Sequence, residues 1–177
     1  MCVIEASPVI ESRRLALHAP AFQDAPRLAA LANDPDIARM TTSLPHPYTI
    51  EAAEAFIARV AGQDPRRAST FLIEHEDLGP VGTIGLACGD EPWPEIGYWI
   101  GRPYWGRGLA TEAVEALLAW AARRQGRRVV VAGHFADNPA SGRVLEKAGF
   151  LYTGETRRQF SLARGEAAPA RRMVWLA

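Results

Sequence analysis

Apolar residues recur along this chain with two spacings, and each spacing predicts a kind of secondary structure. Apolar and polar residues alternate around Leu15 and Leu17, which predicts a first strand. Apolar residues spaced three and four apart, as around Leu28 and Leu31, predict helices that turn one face inward. From end to end, the pattern predicts the order β-αα-βββ-α-β-α-ββ in one domain spanning residues 1–177.

Start and stop signals set the expected bounds of these elements. Thr49 is suited to cap the second helix, and Gly149 is suited to end the last one. The segment 36–48 has no sustained period and contains two prolines, so no element is predicted there. The expected helices cover 24–33, 49–61, a segment from 111 and a segment from 138, and the expected strands cover 15–17, 70–74, 81–87, 95–100, 128–135, 151–161 and 170–176.

The centre of the pattern is a strand that runs through a glycine-rich loop into a helix, over 95–122. Gly106 and Gly108 allow the loop to approach a bound group closely, and the first N–H groups of a helix have no carbonyl partner. The helix dipole adds positive charge at that end, so the arrangement is suited to a pyrophosphate. The loop matches neither G-x-x-x-x-G-K-[ST] nor G-x-G-x-x-G, and two glycines before a helix are also typical of a plain turn. The loop alone leaves both interpretations open.

A second segment favours the phosphate interpretation. Residues 138–150 read NPASGRVLEKAGF, and together with WGRGLATEA at 105–113 they resemble the GNAT superfamily of acetyl-CoA-dependent N-acetyltransferases. The most similar branch is the ribosomal-protein-alanine acetyltransferases, whose opening also resembles RLAL at 14–17 and ALANDP at 30–35. One departure is Trp105, which stands where the superfamily loop usually begins with Gln or Arg.

The resemblance implies a fold and a cosubstrate. The expected fold class is α/β, a single-domain, three-layer arrangement in which helices flank a mixed, mostly antiparallel sheet with one splayed parallel pair, 95–100 beside 128–135. The implied cosubstrate is acetyl-CoA, with its pantetheine arm paired to strand backbone and its pyrophosphate held by the loop. The implied binding residues are Tyr98, Trp99, Ile100, Gly106, Arg107, Gly108, Leu109, Ala110, Thr111, Asn138 and Ser141.

Two side chains are candidates for the chemistry. Glu95 is placed to take a proton from the attacking amine, directly or through a water, although a solvated glutamate at a strand edge is the alternative. Ser141 matches the family serine that is proposed to donate to the departing thiolate, and Asn138 matches a residue that binds the pantetheine arm. Both residues also suit an ordinary helix start, and the two interpretations are compatible.

The implied acceptor is a primary amine, on either a protein N-terminus or a small molecule. In this fold the segment 36–48 borders the acceptor site, so His46 and Tyr48 are candidate substrate-binding residues. An ordinary surface histidine is the alternative for His46. A non-catalytic acyl-CoA-binding regulatory domain and a structural domain with a chance glycine turn are the competing functions.

Composition restricts the partners. The 20 basic and 20 acidic residues give a formal net charge of +0, which argues against nucleic acid. No apolar run approaches about 18 residues, so no membrane contact is expected, and the start lacks a basic segment typical of a signal peptide. Cys88 is expected within a strand and Cys2 in a mobile terminus, with no disulfide framework, which favours a cytoplasmic location. We expect no metal, and either a monomer or a homodimer.

Overall fold

The computed structural model describes residues 8–89 and 91–177, so Cys2 lies outside the described residues. Its centre is one eight-stranded sheet with the spatial order β1-β2-β3-β4-β5-β6-β8-β7. In the described part of the chain, neighbouring strands are antiparallel except for β5 and β6. The strands are β1 Ile10–Glu11, β2 Leu15–His18, β3 Ala68–His75, β4 Gly79–Ala87, β5 Glu95–Ile100, β6 Val129–Phe135, β7 Leu151–Ser161 and β8 Glu166–Leu176.

Helices cover both faces of this sheet. The helices are α1 Ala25–Ala32, α2 Pro35–Ala38, α3 Ile50–Ala61, α4 Leu109–Gln125 and α5 Pro139–Lys147. One core lies between the sheet and the pair α4 and α5, and it includes Leu117 and Leu145. A second core, around Leu28 and Leu72, lies between the opposite face and α1 to α3. The predicted three-layer α/β fold is therefore confirmed.

The parallel pair diverges after two residue pairs. Glu95 lies opposite Val131 and Ile96 opposite Ala132, whereas the rest of β5 pairs only with β4. The backbone edge of β5 that faces β6 is thus open over 97–100. This gap is the splay that the resemblance implied.

The structure adds one helix that was not predicted and moves the start of another. The segment 36–48 begins inside a short helix, α2, because the Asp34 side chain accepts the Asp36 N–H at 2.9 Å and caps it. Helix α4 begins at Leu109, two residues before the predicted start, because Gly108 has a positive φ and serves as the N-cap.

The structure also corrects two strands. The two-residue strand β1 was not predicted, since so short a segment has no detectable alternation. β8 begins at Glu166, not at 170, and therefore contains Pro169. The Pro169 carbonyl faces the end of β6 and accepts the Ala136 N–H at 2.9 Å, so its missing N–H removes no hydrogen bond to β7. Among residues 8–89 and 91–177, no helix is long and apolar enough to cross a membrane.

Candidate active site

The glycine loop leads directly into α4 and leaves several N–H groups free. Gly106 and Gly108 have φ angles of 75° and 76°, in the left-handed region that favours glycine. The Glu112 N–H donates to the Gly108 carbonyl at 3.1 Å, so the N–H groups of 109–111 have no partner inside the helix. The Leu109 side chain is buried, which leaves only its backbone for the loop. Free N–H groups at a helix N-terminus are suited to an anion.

An ion pair fixes this loop to the start of the sheet. Glu112 accepts hydrogen bonds from the Arg14 N–H at 2.7 Å, from Arg14 Nε at 2.8 Å and from the Ser12 hydroxyl at 2.9 Å. Burial is the largest single influence and raises the pKa of Glu112, but the hydrogen bonds from Arg14 and Ser12, with the charge of Arg14, together hold that pKa below its usual value. Arg14 Nη2 also donates to the Arg107 carbonyl at 3.2 Å. The Arg107 guanidinium is exposed and lies beside the Tyr104 ring.

Trp105 ties the start of the loop to the end of β5. Its indole Nε1 donates to the Ile100 carbonyl at 2.6 Å. The Arg102 guanidinium lies 5.5 Å from the indole ring and donates to Asp34 at 2.6 and 2.7 Å and to Asp36 at 2.5 Å. The loop is therefore joined to the residue that caps α2.

The open edge of β5 presents alternate backbone groups to the gap. The Gly101 N–H donates to the Val81 carbonyl at 2.8 Å, so Gly101 faces β4. Because backbone groups alternate in direction along a strand, Trp99 also faces β4, whereas Tyr98 and Ile100 face the gap. The Trp99 side chain packs beside the core under α1 and α3. Of the three predicted backbone contacts, two point to the gap.

Ser141 lies at the other side of the gap, in the first turn of α5. Its N–H donates to Asn138 Oδ1 at 3.2 Å, so Asn138 is the N-cap. Its Oγ lies 2.9 Å from the Tyr98 hydroxyl, which also donates to the Ser141 carbonyl at 3.2 Å. Burial raises the pKa of Tyr98 to about 12, so its hydroxyl keeps its proton at neutral pH. The Asn138 and Ser141 pair therefore starts the helix and also faces a buried donor.

A cavity of about 750 Å³ opens on the face of β4, β5 and β6 that is covered by α3. The segment 40–45 and one side of α3 form its roof, and the ends of β6 and β8 form its far wall. Side chains on its wall include Tyr48, Phe56, Arg59, Thr83, Glu95, Ser141 and Arg172.

Glu95 and Arg172 form the ion pair in this cavity. Arg172 Nη1 donates to Glu95 Oε1 at 2.6 Å, and Arg172 Nη2 lies 3.7 Å from Glu91 Oε2. The Arg172 side chain is buried, whereas the Glu95 side chain is 48% exposed. A Cβ at position 133 would lie 3.1 Å from Arg172 Nη1, so Gly133 makes room for the pair. Glu95 is therefore held by a buried cation while it remains accessible from the cavity.

Of three further residues singled out in the sequence, Tyr48 lies on the cavity wall as expected, whereas His46 and Cys88 lie elsewhere than predicted. Tyr48 lines the cavity and is buried, which raises its pKa, and its N–H donates to Asn33 Oδ1 at 3.0 Å. His46 is exposed and lies off the cavity wall. Cys88 was predicted within a strand, but it follows the end of β4. It is half-buried and lines the cavity, and its Sγ lies 4.0 Å from Arg127 Nη2.

Sequence reasoning did not find three polar residues of the cavity, namely Arg59, Thr83 and Arg172. Arg59 lies on a helix at a position where the period predicts only a polar residue, and Arg172 lies in a strand where a buried arginine has no local signal. Only Thr83 had a usable signal in the sequence, because alternation along β3 and β4 places it on the same face of the sheet as Thr70. Among the described residues, no cluster of three His, Cys, Asp or Glu side chains that could hold a metal ion is found.

Comparison with known proteins agrees with this geometry. The family description "Acetyltransferase (GNAT) domain" matches residues 14–151. The uncharacterized N-acetyltransferase YoaA of Bacillus subtilis (strain 168) is 30% identical over 154 residues, which cover 85% of this chain and 86% of YoaA.

Solved structures share the fold. A GNAT-family acetyltransferase from Bacillus anthracis superposes with a TM-score of 0.82 at 22% identity, covering 96% of this chain and 98% of that one. The ribosomal L7/L12 α-N-protein acetyltransferase RimL, in complex with coenzyme A, has a TM-score of 0.82 at 23% identity over 96% of this chain and 98% of its own. The ribosomal-protein-S5-alanine acetyltransferase of Vibrio fischeri has a TM-score of 0.79 at 18% identity, over 96% of both chains. With the family match and the relative at 30% identity, these findings establish that the chain belongs to the GNAT family of acetyltransferases.

Proposed function

We propose that this enzyme transfers an acetyl group from acetyl-CoA to a primary amine, on a protein N-terminus or a small molecule, by direct attack of the amine on the thioester. The observation that carries the proposal is the position of the open edge of β5. It runs from the free N–H groups of the glycine loop to the cavity that contains Glu95.

The residues around the gap fit acetyl-CoA along its length. The N–H groups of 106–111 would bind the pyrophosphate, and Arg107 would add a charge-assisted contact at its edge. The backbone of Tyr98 and the Ile100 N–H would pair with the pantetheine amides as a neighbouring strand does. Asn138 uses Oδ1 as a cap, which leaves its Nδ2 to donate to the same arm.

Proton removal from the amine is the first requirement of the reaction. Alkylamines are mostly protonated at neutral pH, with pKa values of about 8 for an α-amine and about 10 for a lysine, and only the neutral amine attacks. Arg172 holds Glu95 through one oxygen, Oε1, at 2.6 Å. The second oxygen is then oriented to accept the proton, directly or through a water.

Protonation of the departing thiolate is the second requirement. The Tyr98 proton has two acceptors, the Ser141 carbonyl at 3.2 Å and Ser141 Oγ at 2.9 Å. When Tyr98 donates to Oγ, the Ser141 hydroxyl is free to donate to the thiolate as negative charge develops on sulfur. Such a donor stabilises the transition state more than the ground state.

The choice of direct transfer depends on the absence of an activated nucleophile. Cys88 lines the cavity, but no histidine ring lies within hydrogen-bond distance of its sulfur in the described part of the chain. We therefore expect no covalent acetyl-enzyme intermediate between acetyl-CoA and the acceptor amine. We further expect a cytoplasmic enzyme, a monomer or a homodimer, that acts without nucleic acid or a membrane.

The decisive experiment combines a screen of amine acceptors with intact-mass measurement. We expect acetyl-CoA to bind, an amine to become 42 Da heavier with thiol release, and the enzyme mass to stay unchanged after incubation with acetyl-CoA alone, 42 Da being about the mass of an acetyl group replacing a proton. Acetyl-CoA binding without thiol release for any amine would favour a non-catalytic acyl-CoA-binding domain. A stoichiometric acetyl adduct on Cys88 that an amine discharges at a competent rate would contradict direct transfer.

A further inference from the structure

The charged side chains on the cavity wall do not balance. Among the described residues, the charged side chains that line it are Arg59, Glu95 and Arg172. Glu95 and Arg172 neutralise each other through their 2.6 Å contact. No carboxylate of residues 8–89 or 91–177 forms an ion pair with Arg59, which is exposed in the last turn of α3, so its guanidinium is available to pair with an anion that enters the cavity.

The helix period directs Arg59 to the cavity. Ala52, Ala55, Phe56 and Arg59 all line it, and their spacing of three and four residues defines one side of α3. The Arg59 guanidinium carbon lies 5.5 Å from the centre of the Phe56 ring, which supports the group while its N–H edge remains available.

Glycines on three neighbouring strands, β4, β5 and β6, form the floor of the cavity near Glu95. Gly85 lies directly opposite Gly97, and Gly97 is one residue beyond the last pair of β5 and β6, which places it level with Gly133. Residues at matching positions of neighbouring strands share a face, so the three glycines lie side by side on the cavity face. No heavy atom lies within 4 Å of a Cβ built on Gly97. A Cβ on Gly85 would instead lie 3.0 Å from Thr70 Oγ1, and one on Gly133 would lie 3.1 Å from Arg172 Nη1, so of the three glycines only Gly97 presents bare backbone to the cavity.

Thr83 supplies an unused polar group beside this floor. It lies on the cavity face of β4, opposite Trp99, and is only 6% exposed. Its hydroxyl makes no hydrogen bond within the described residues. Thr83 is not one of the residues whose side-chain oxygen or nitrogen is buried without a partner, so its hydroxyl is open to the cavity and available to a polar group of a bound molecule.

We propose that the acceptor amine carries an oxyanion, a carboxylate or a phosphate, which binds to Arg59 in the cavity that Thr83 also lines, while the body of the molecule lies over the bare backbone of Gly97. The inference rests on the proposed function, because the amine is then directed toward Glu95 and the thioester. Arginine is the side chain that matches a carboxylate or phosphate with two parallel hydrogen bonds.

The charge of the wall explains why an oxyanion is needed. The amine arrives mostly as an ammonium ion, and Arg59 repels a molecule that carries ammonium groups alone. A negative group on the same molecule pairs with Arg59 and so offsets the repulsion between Arg59 and the ammonium group. A polyamine such as spermidine carries no such group and is expected to be a poor acceptor.

The test uses acceptor pairs with and without the negative group, alanine with alaninamide and phosphoethanolamine with ethanolamine. The kcat/KM is expressed per concentration of neutral amine, because the negative group also raises the pKa of the amine. The enzyme is compared with Arg59→Gln and with Arg66→Gln, a control at an 89% exposed arginine outside the cavity. We expect kcat/KM for the oxyanion member to be at least about tenfold higher in the unmodified enzyme and in Arg66→Gln. In Arg59→Gln the two members should become nearly equal, with an unchanged KM for acetyl-CoA. The two pairs separate carboxylate from phosphate recognition.

A binding arm separates this proposal from the reaction itself. The CoA-saturated protein is titrated calorimetrically with N-acetylalanine, N-acetylalaninamide and the corresponding N-acetyl phosphoethanolamine. Tighter binding of a charged product, lost in Arg59→Gln, supports the oxyanion site even if no amine is acetylated, in which case only the proposed function fails. The proposal is overturned if both members of each pair are acetylated or bound equally well, or if no product binds. It is also overturned if the preference for the charged member persists in Arg59→Gln, or if spermidine is acetylated faster than the oxyanion-bearing acceptors.

Discussion

At the scale of single residues, the strictest requirement falls on glycines with positive φ. Gly108 and Gly126 stand at the two ends of α4 with φ angles of 76° and 64°. Both positions strain a residue with a Cβ, but only the first belongs to the loop proposed to hold the pyrophosphate. The two glycines therefore form a matched pair for separating cofactor binding from stability.

We predict that Gly108→Val weakens CoA binding at least about tenfold, about 1.4 kcal/mol, because the branched side chain disturbs the loop and crowds the phosphate approach. Calorimetric titration with CoA measures the change. The control Gly126→Val should lose about 1–2 kcal/mol of unfolding free energy through the same strain and keep its affinity for CoA. A folded Gly108→Val protein with unchanged affinity would contradict the pyrophosphate site.

A second prediction at this scale concerns the hydroxyl pair of Ser141 and Tyr98. Ser141→Ala should lower kcat between about tenfold and a hundredfold, about 1.4–2.7 kcal/mol of barrier, with little change in KM, because the donor acts mainly in the transition state. Tyr98→Phe should lower kcat less, and the double variant should be no slower than Ser141→Ala, since Tyr98 acts through the serine. Steady-state kinetics of the three variants measures both effects.

The raised pKa of Tyr98 provides a control for the comparison of Ser141→Ala, Tyr98→Phe and the double variant. Because the pKa is about 12, Tyr98 does not titrate in the working range, and Tyr98→Phe should leave the pH dependence of kcat unchanged below about pH 11. Cys88→Ala should retain most activity. Full activity in Ser141→Ala would remove the serine from the mechanism, and additive losses in the double variant would show that Tyr98 acts separately.

At the scale of elements, α5 contains a glycine that helix propensity alone would replace. A Cβ on Gly142 would lie 2.6 Å from the Tyr152 hydroxyl and 2.9 Å from His134 Nε2. These two groups are themselves hydrogen-bonded at 2.9 Å, so neither moves away freely. The packing of α5 on β6 and β7 thus requires a helix surface without a side chain at this point.

We predict that Gly142→Ala lowers the unfolding free energy by about 1–3 kcal/mol, the usual cost of overpacking, although alanine favours a helix by about 1 kcal/mol. Urea unfolding measures it. Gly62→Ala is the control, because its new Cβ would be 3.7 Å from the nearest atom at a φ of −91°, and it should be neutral or slightly stabilising. A Gly142→Ala protein as stable as the control would contradict the packing of α5 described above.

At the scale of the whole molecule, two ion pairs join parts of the chain that are distant in sequence. Glu112 and Arg14 connect α4 to the first strands, and Arg102 and Asp34 connect the loop after β5 to α2. Hydrogen bonds from Arg102 are the largest cause of a lowered pKa at Asp34. At Glu112, burial raises the pKa, but the hydrogen bonds from Arg14 and Ser12 and the charge of Arg14 together lower it further than burial raises it. Carboxylates with a lowered folded-state pKa stabilise the protein above their unfolded pKa and lose this effect as pH falls.

We predict that the enzyme loses unfolding free energy below about pH 4.5, the ordinary pKa of glutamate, and that Glu112→Gln reduces this loss. The sign follows because the unfolded state binds more protons than the folded state in this range. At neutral pH, Glu112→Gln should cost about 1–3 kcal/mol, the value of hydrogen bonds to a charged group. Urea unfolding at several pH values measures both, with Glu115→Gln, an exposed position on α4, as the control. Equal pH dependence in the two variants would contradict the role of Glu112.

The sequence by itself determined the order of the elements apart from β1 and α2, the splayed strand pair through its family resemblance, and the loop that leads into α4. These features follow from rules that act over a few residues, such as apolar spacing, glycine at positive φ and the cap formed by Asn138 and Ser141. Some failures were local, as at the Asp34 cap of α2 and at Gly108 before α4, whereas Pro169 in β8 makes its contact with Ala136, just beyond the end of β6.

Only the tertiary structure decided what the cavity contains. Glu95 and Arg172 are 77 residues apart, on two strands that flank β6, and they meet across β6 because Gly133 has no side chain there. The strand registers turn the Trp99 backbone away from the gap and leave the Gly97 backbone bare on the cavity face. Tyr48 lines the cavity, whereas His46 does not. A side chain's position in the site depends on strand register and helix packing, which are set by contacts across the whole chain and leave no local pattern.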